Sequence, residues 1–210
     1  MSARTRPLAL NVALLVSLGL LVVPVAVGRS AAVAASSLSA NLVVNGGFEQ
    51  PFVGAGSYKL VSTGQSFAGW RVVGATFPVA PISGAYVSNG IHFTAKAGKQ
   101  WLDLTGLSNS KTGVAQTVKT KPGASYRLSF AVGNVVDPGG SFGTSSTVNV
   151  LVNGHKLLSA TNKGGSKTQA WKTFNVTVKA TSAATTIEFL NGDSGTDNDN
   201  GLDAVTLTKP

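Results

Sequence analysis

The chain has 210 residues, no cysteine and two histidines, with 17 Lys and Arg set against 8 Asp and Glu for a formal charge of +9. These counts exclude a disulfide scaffold, a thiolate metal site, a cysteine nucleophile and a three-His zinc centre. Charged residues make up 12% of the chain, against about 25% in an average soluble domain, and 25 glycines accompany them, which fits neither a coiled coil nor a disordered tail.

Arg4 and Arg6 precede an apolar run from Leu8 to Gly28, interrupted only by Asn11, Ser17 and Pro24, and Ala32-Val33-Ala34 follows. A basic start, an apolar stretch and a small-residue end predict a cleaved secretion signal over residues 1–35, leaving 36–210 as one domain. The product is expected to be secreted, extracellular or cell-wall associated, with no membrane attachment after cleavage. Losing Arg4, Arg6 and Arg29 leaves fourteen basic against eight acidic residues, a balance of +6. Such a balance attracts anionic polymers. The lysines are scattered, however, with Lys119 and Lys121 the nearest to a cluster, and no basic-aromatic motif is present, so a nucleic-acid partner is not expected.

Beyond the signal the pattern has a period of two. In Trp101-Leu102-Asp103-Leu104-Thr105 the leucines share one face and Trp101, Asp103 and Thr105 the other. Further runs follow at Tyr126-Leu128-Phe130-Val132, Val148-Val150-Val152, Phe174-Val176-Val178 and Ile187-Glu188-Phe189, each reading as a half-buried strand. Asn153-Gly154, between Val148–Val152 and Lys156–Leu158, predicts a tight hairpin, and four more Asn-Gly pairs begin at Asn45, Asn89, Asn191 and Asn200. The Gly/Ser-rich stretch from Asp137 to Ser146 reads as a loop. Short strands with frequent turn signals predict an all-β antiparallel sandwich of the jelly-roll type.

Several segments resemble, in order, the signature of the DUF642 family: Asn41 to Glu49, Gly69-Trp70, Gly98 to Leu104, Val114 to Val118, Pro122 to Phe130 and Gly201 to Val205. The resemblance spans about residues 40 to 208. It implies a galactose-binding-like jelly roll, secreted, associated with cell walls or envelopes, and binding polysaccharide or wall proteins. It also implies that Trp70 and Trp171 are packing residues. One structural Ca²⁺ joining the first and last strands would pair Glu49 with Asp203. Ala204 departs from the acidic or amide residue common at its position. The plant members carry two copies of the domain, and this chain has one.

The stretch Asp193 to Asp203 holds four of the eight acidic residues, a density that suits either a Ca²⁺ loop or a solvated acidic turn. Gly139-Gly140-Ser141-Phe142-Gly143 and Gly192-Asp193-Ser194-Gly195 match hydrolase strings, but neither Ser141 nor Ser194 has the strand-to-helix context or a placed base such as His155 or His92. Glu188 has no identifiable carboxylate partner for glycoside hydrolysis. Binding therefore outranks catalysis, and the expectation is no enzyme. Trp101 is the sharpest sugar-binding candidate, with Asp103 beside it and Tyr86 as a loop contact; alternatively Trp101 lies beneath a covering loop. Gln116, between Val114 and Val118, predicts a buried amide bridging strands. The expected function is a secreted, non-catalytic carbohydrate-binding module, or alternatively a structural or adhesive protein that binds other proteins.

Overall fold

A computed structural model describes residues 39–105, 110–193 and 199–210. The expected secretion signal, and Ser194 and Asp197 of the acidic stretch, lie outside the described residues. A compact unit extends from Leu38 to Pro210.

Thirteen strands and no helix are found among the described residues. One sheet has six strands in the order β1 (Ser66–Phe67), β2 (Trp70–Gly74), β7 (Thr112–Lys119), β12 (Ala184–Asn191), β9 (Ser146–Val152) and β10 (His155–Asn162). The other has five, in the order β11 (Ala170–Lys179), β8 (Ser125–Asn134), β13 (Gly201–Thr208), β6 (Gln100–Asp103) and β3 (Ala80–Ser83). A separate hairpin is formed by β4 (Tyr86–Ser88) and β5 (Ile91–Phe93). Every strand pair is antiparallel. The fold is the all-β jelly-roll sandwich that the alternation predicts.

The alternating runs face the space between the sheets. Tyr126, Leu128, Phe130 and Val132 of β8 meet Val148 and Val150 of β9 and Ile187 and Phe189 of β12, all buried in one cluster with Trp70. Each such side chain contributes about 1.5–3 kcal/mol by leaving water. Trp70 is a core residue, its Nε1–H donating to the Asn45 carbonyl at 3.0 Å. Gln116 is buried as expected but ties β7 to the non-strand N-terminal segment and not to another strand: its Oε1 accepts from Val44 N–H at 2.8 Å and its Nε2 donates to the Val44 carbonyl at 3.0 Å. Asn153-Gly154 turns β9 into β10 and Asn89-Gly90 turns β4 into β5, with φ of 51°, 78°, 50° and 73° respectively, the left-handed values that a two-residue hairpin turn requires.

A second buried cluster lies on the outer face of the five-stranded sheet, where β4 and β5 cover it. It contains Ala80, Ile82, Ile91, Phe93, Trp101 and Val135, with Tyr86, Phe142 and Trp171 packed against it. Both faces of β6 are consequently buried. Leu102 points into the main core and Trp101 into the second. Trp101 as an exposed platform is thereby corrected: the ring is 1% exposed, because the hairpin is laid over the face that alternation assigns to solvent. Trp171 is a packing residue, its Nε1–H donating to the Thr94 carbonyl at 2.8 Å.

Candidate active site

The second cluster does not fill the space beneath the hairpin. A cavity of about 340 Å³ remains, within the size range of small-molecule sites. Five aromatic side chains line it: Tyr58, Tyr86, Phe93, Trp101 and Phe142. Tyr58 and Tyr86 meet edge-on with centroids 5.7 Å apart, Tyr86 lies 5.8 Å from Phe93, and Phe93 stacks on Trp101 at 5.8 Å with 20° between planes. Phe142 closes edge-to-face on Phe93 at 5.1 Å. Tyr58 and Leu60 stand half out of the surface at the rim.

The five rings come from four segments, Trp101 being on β6. Tyr58 sits on a bridge to Ile82, in a segment whose backbone pairs with β3 through Lys59 N–H to the Pro81 carbonyl. Tyr86 and Phe93 are opposite each other on the hairpin. Phe142 comes from the loop 137–143, which is closed at its ends by Asp137 N–H donating to the Gly143 carbonyl at 2.8 Å. The Gly/Ser-rich stretch thus forms one wall of the cavity. Ser141 lines the cavity too, but from this loop and not from a strand-to-helix turn.

Two carboxyl groups enter this apolar enclosure. Asp103, at the end of β6, is buried, and its Oδ1 accepts from Thr105 N–H at 2.9 Å and Thr105 Oγ1–H at 2.6 Å. Asp199, just before β13, is buried as well, and Val135 N–H donates to its Oδ2 at 2.9 Å. Hydrogen bonds fix both carboxyl groups in place beside a cavity to which five aromatic side chains contribute.

Trp101, Asp103 and Tyr86 are therefore brought together, with Tyr86 on a strand and not a loop. Asp199, Tyr58, Phe93 and Phe142 escape the sequence reading. In the sequence Asp199 is one of four acidic residues in a short stretch, and the three rings belong to segments without a long alternation. The acidic stretch itself is dispersed by the fold. Asp193 accepts from Thr147 N–H on β9, Asp199 faces the cavity, and Asp203 points toward Glu49.

Glu49 and Asp203 meet around the loop 94–100. Glu49 Oε1 accepts from the N–H groups of Lys99 and Gln100 at 2.8 and 3.0 Å, and Asp203 Oδ2 from those of Lys96 and Ala97 at 2.9 and 3.1 Å. Burial pushes the Asp203 carboxyl up to about 7, with the Glu49 charge adding to the rise against three backbone hydrogen bonds that lower it. The residues next to both carboxylates, Phe48 and Ala204, have φ of 54° and 53°, a strained region for non-glycine residues. Two oriented carboxylates suit a hard cation such as Ca²⁺. No group of three or more His, Cys, Asp or Glu is found among the described residues, so backbone carbonyls would have to complete its six to eight oxygens.

An aromatic-lined cavity with two buried carboxyl groups is thus set on a jelly roll. The family model described as HpiC1 cyclase (HpiC1-like) matches residues 39–208, and the chain belongs to the HpiC1-like cyclase family. Solved structures agree on the fold. A cyclase from Fischerella sp. TAU in complex with 4-(1H-indol-3-yl)butan-2-one is 23% identical, covering 82% of this chain and 98% of its own, with a TM-score of 0.58. The Stig cyclase Fisc from Fischerella sp. TAU, in complex with (3Z)-3-(1-methyl-2-pyrrolidinylidene)-3H-indole, is 20% identical over the same shares, with a TM-score of 0.55. No curated protein matches the chain.

These findings overturn several expectations. Membership of the cyclase family replaces the DUF642 resemblance, and with it the non-catalytic carbohydrate-binding module, the adhesive alternative and the cell-wall polysaccharide partner. The expectation of no enzyme falls with them, because the family is one of cyclases.

Proposed function

We propose that this protein is a cyclase that closes a ring within an aromatic small molecule of the indole class, held between the rings beneath the β4–β5 hairpin. The observation that carries the reading is the coincidence of five aromatic side chains and two buried aspartates in one cavity of a member of this family. Flat aromatic walls favour a planar, apolar substrate through offset and edge contacts. They also fix its conformation, so that the reacting atoms approach without the entropy cost of free rotation. Ring closure that isomerises the substrate needs one proton delivered and one removed, with no net change in composition. Asp103 and Asp199 can act as that acid and base, each anchored through one oxygen.

The test is a calorimetric titration of the protein with 4-(1H-indol-3-yl)butan-2-one. Saturable binding with a Kd in the micromolar range is expected, and no binding at millimolar ligand would remove the reading.

Export and calcium belong to the same proposal. The secretion signal is expected to be removed, so N-terminal sequencing of the exported protein should begin near Ala35 or Ser36; recovery with Met1 intact would contradict it. Ca²⁺ at Glu49 and Asp203 would relieve the crowding of two carboxylates and pin the N-terminal segment and β13 to the loop 94–100.

A further inference from the structure

Folding gathers basic residues that lie apart in the sequence. Strands β7, β9, β11 and β13 end, and β8, β10 and β12 begin, at one end of the sandwich. The turns there are tied together: Thr120 N–H donates to the Ala183 carbonyl at 2.9 Å, Gly123 N–H to the Ala180 carbonyl at 2.8 Å and Asn153 N–H to the Thr186 carbonyl at 2.9 Å. Lys119 opposite Ala184, Lys121 in the β7–β8 turn, Arg127 opposite Thr208, Lys156 beside the β9–β10 turn, Lys179 opposite Ser125 and Lys209 after β13 all lie at this end, and all are exposed.

No acidic residue accompanies them among the described residues. Asp103, Asp137, Asp193 and Asp199 lie where β6, β8 and β12 end and β13 begins, at the other end; Glu49 and Asp203 meet at the loop 94–100, and Glu188 stands inside β12. Six like charges with no counter-charge among them make a field that attracts an anionic partner. One apolar residue stands with them. A register shift between Lys156 and Leu158 leaves Leu157 unpaired in the β9–β10 ladder, and it is 39% exposed.

We infer that this end is a docking surface for an anionic membrane, with the six basic side chains on lipid headgroups and Leu157 at the boundary with the acyl chains. Each basic residue close to such a surface is worth about fivefold in binding, and an exposed leucine adds an apolar contact that a soluble polyanion does not offer. A nucleic acid calls instead for exposed rings on which its bases stack. Tyr126, the aromatic residue of this end, is 2% exposed, and its hydroxyl accepts from Lys121 N–H at 2.9 Å. The inference replaces the expectation of no membrane attachment after cleavage, which rests on apolar runs and takes no account of charge brought together by folding. The cavity beside Asp103 and Asp199 lies toward the other end, so membrane docking stands or falls independently of the cyclase reading.

The experiment is sedimentation of residues 36–210, which hold the compact unit and both hydrophobic clusters, with vesicles of phosphatidylcholine alone or mixed two to one with phosphatidylserine. The wild type should bind the mixed vesicles at least tenfold more tightly than the neutral ones. Lys121→Glu with Lys179→Glu, and separately Lys156→Glu with Lys209→Glu, should each weaken binding at least tenfold. Lys111→Glu with Lys163→Glu, an equal change of charge at the other end, should weaken it less than threefold. Leu157→Ser should weaken vesicle binding about threefold and leave heparin binding unchanged. Every substituted residue is exposed, so melting curves should coincide, and if one basic-end pair unfolds the other decides. Equal binding to the two kinds of vesicle, or equal losses from the pairs at both ends, would overturn the inference. Heparin binding without vesicle binding, or full vesicle binding by Leu157→Ser, would overturn it as well and assign this end to a soluble polyanion.

Discussion

Phe142 meets Phe93 edge-to-face, with ring centroids 5.1 Å apart, so a loop residue completes an aromatic wall begun on a strand. Both rings line the cavity. Phe142→Ala is expected to leave the melting temperature nearly unchanged, since the ring is only half buried. Affinity for 4-(1H-indol-3-yl)butan-2-one should fall by about five- to tenfold, roughly 1–1.4 kcal/mol for one aromatic contact. A calorimetric titration checks this, and an unchanged Kd would place the ligand elsewhere.

Asp103→Asn and Asp199→Asn keep the acceptors that Thr105 and Val135 use, so both variants should fold. Turnover of an indole-bearing precursor, followed as product of unchanged mass by chromatography, is expected to fall about 100-fold or more, the scale of losing one acid-base group. Kd should change by less than about threefold, within the worth of a weak contact. Full turnover in both variants would deny the carboxyl groups their role.

For Trp101→Ala, the prediction is instability. The ring is buried against Phe93 and Trp171, and removing it should cost about 3–5 kcal/mol and lower the melting temperature sharply. A Trp101→Ala protein that melts with the wild type would mean the hairpin does not cover this face in solution.

Asp203 gives a pH signature. Its folded-state pKa of about 7 lies above the ordinary value of 3.8, so between those limits the native state holds a proton that the unfolded chain releases. The stabilisation is therefore complete below pH about 4 and is lost as pH rises through about 7. In chelator, the melting temperature should decline from pH 4 to pH 7.5. With millimolar Ca²⁺, the ionised pair becomes the ligand set and the decline should be abolished, since a cation bound only to the native state adds stability by mass action. Asp203→Asn should remove both the decline and the calcium effect. Identical melting in chelator and in calcium across this range would leave the pair without a metal.

Alternation by itself determined the sandwich. Residues such as Leu128 and Phe130 on β8, or Ile187 and Phe189 on β12, are strand-forming and two-periodic, and burying one face of each strand leaves little choice but stacked sheets. Asn153-Gly154 likewise fixed its hairpin locally, because its two residues tolerate the left-handed φ that the turn demands. Alternation also told which residues of β6 share a face, placing Trp101 with Asp103. Whether that face meets water or a second layer was decided only when β4 and β5, far too short to show a period, folded over it. The separation of the acidic stretch was settled in the same way. Asp199 and Asp203 are four residues apart in the chain, yet pairing of β13 with β6 and β8 sends one carboxyl to an aromatic cavity and the other to Glu49. Local sequence specifies strands and turns through short-range sterics and periodicity. The chemistry of this cavity arises from contacts between segments distant in sequence, which no local pattern encodes.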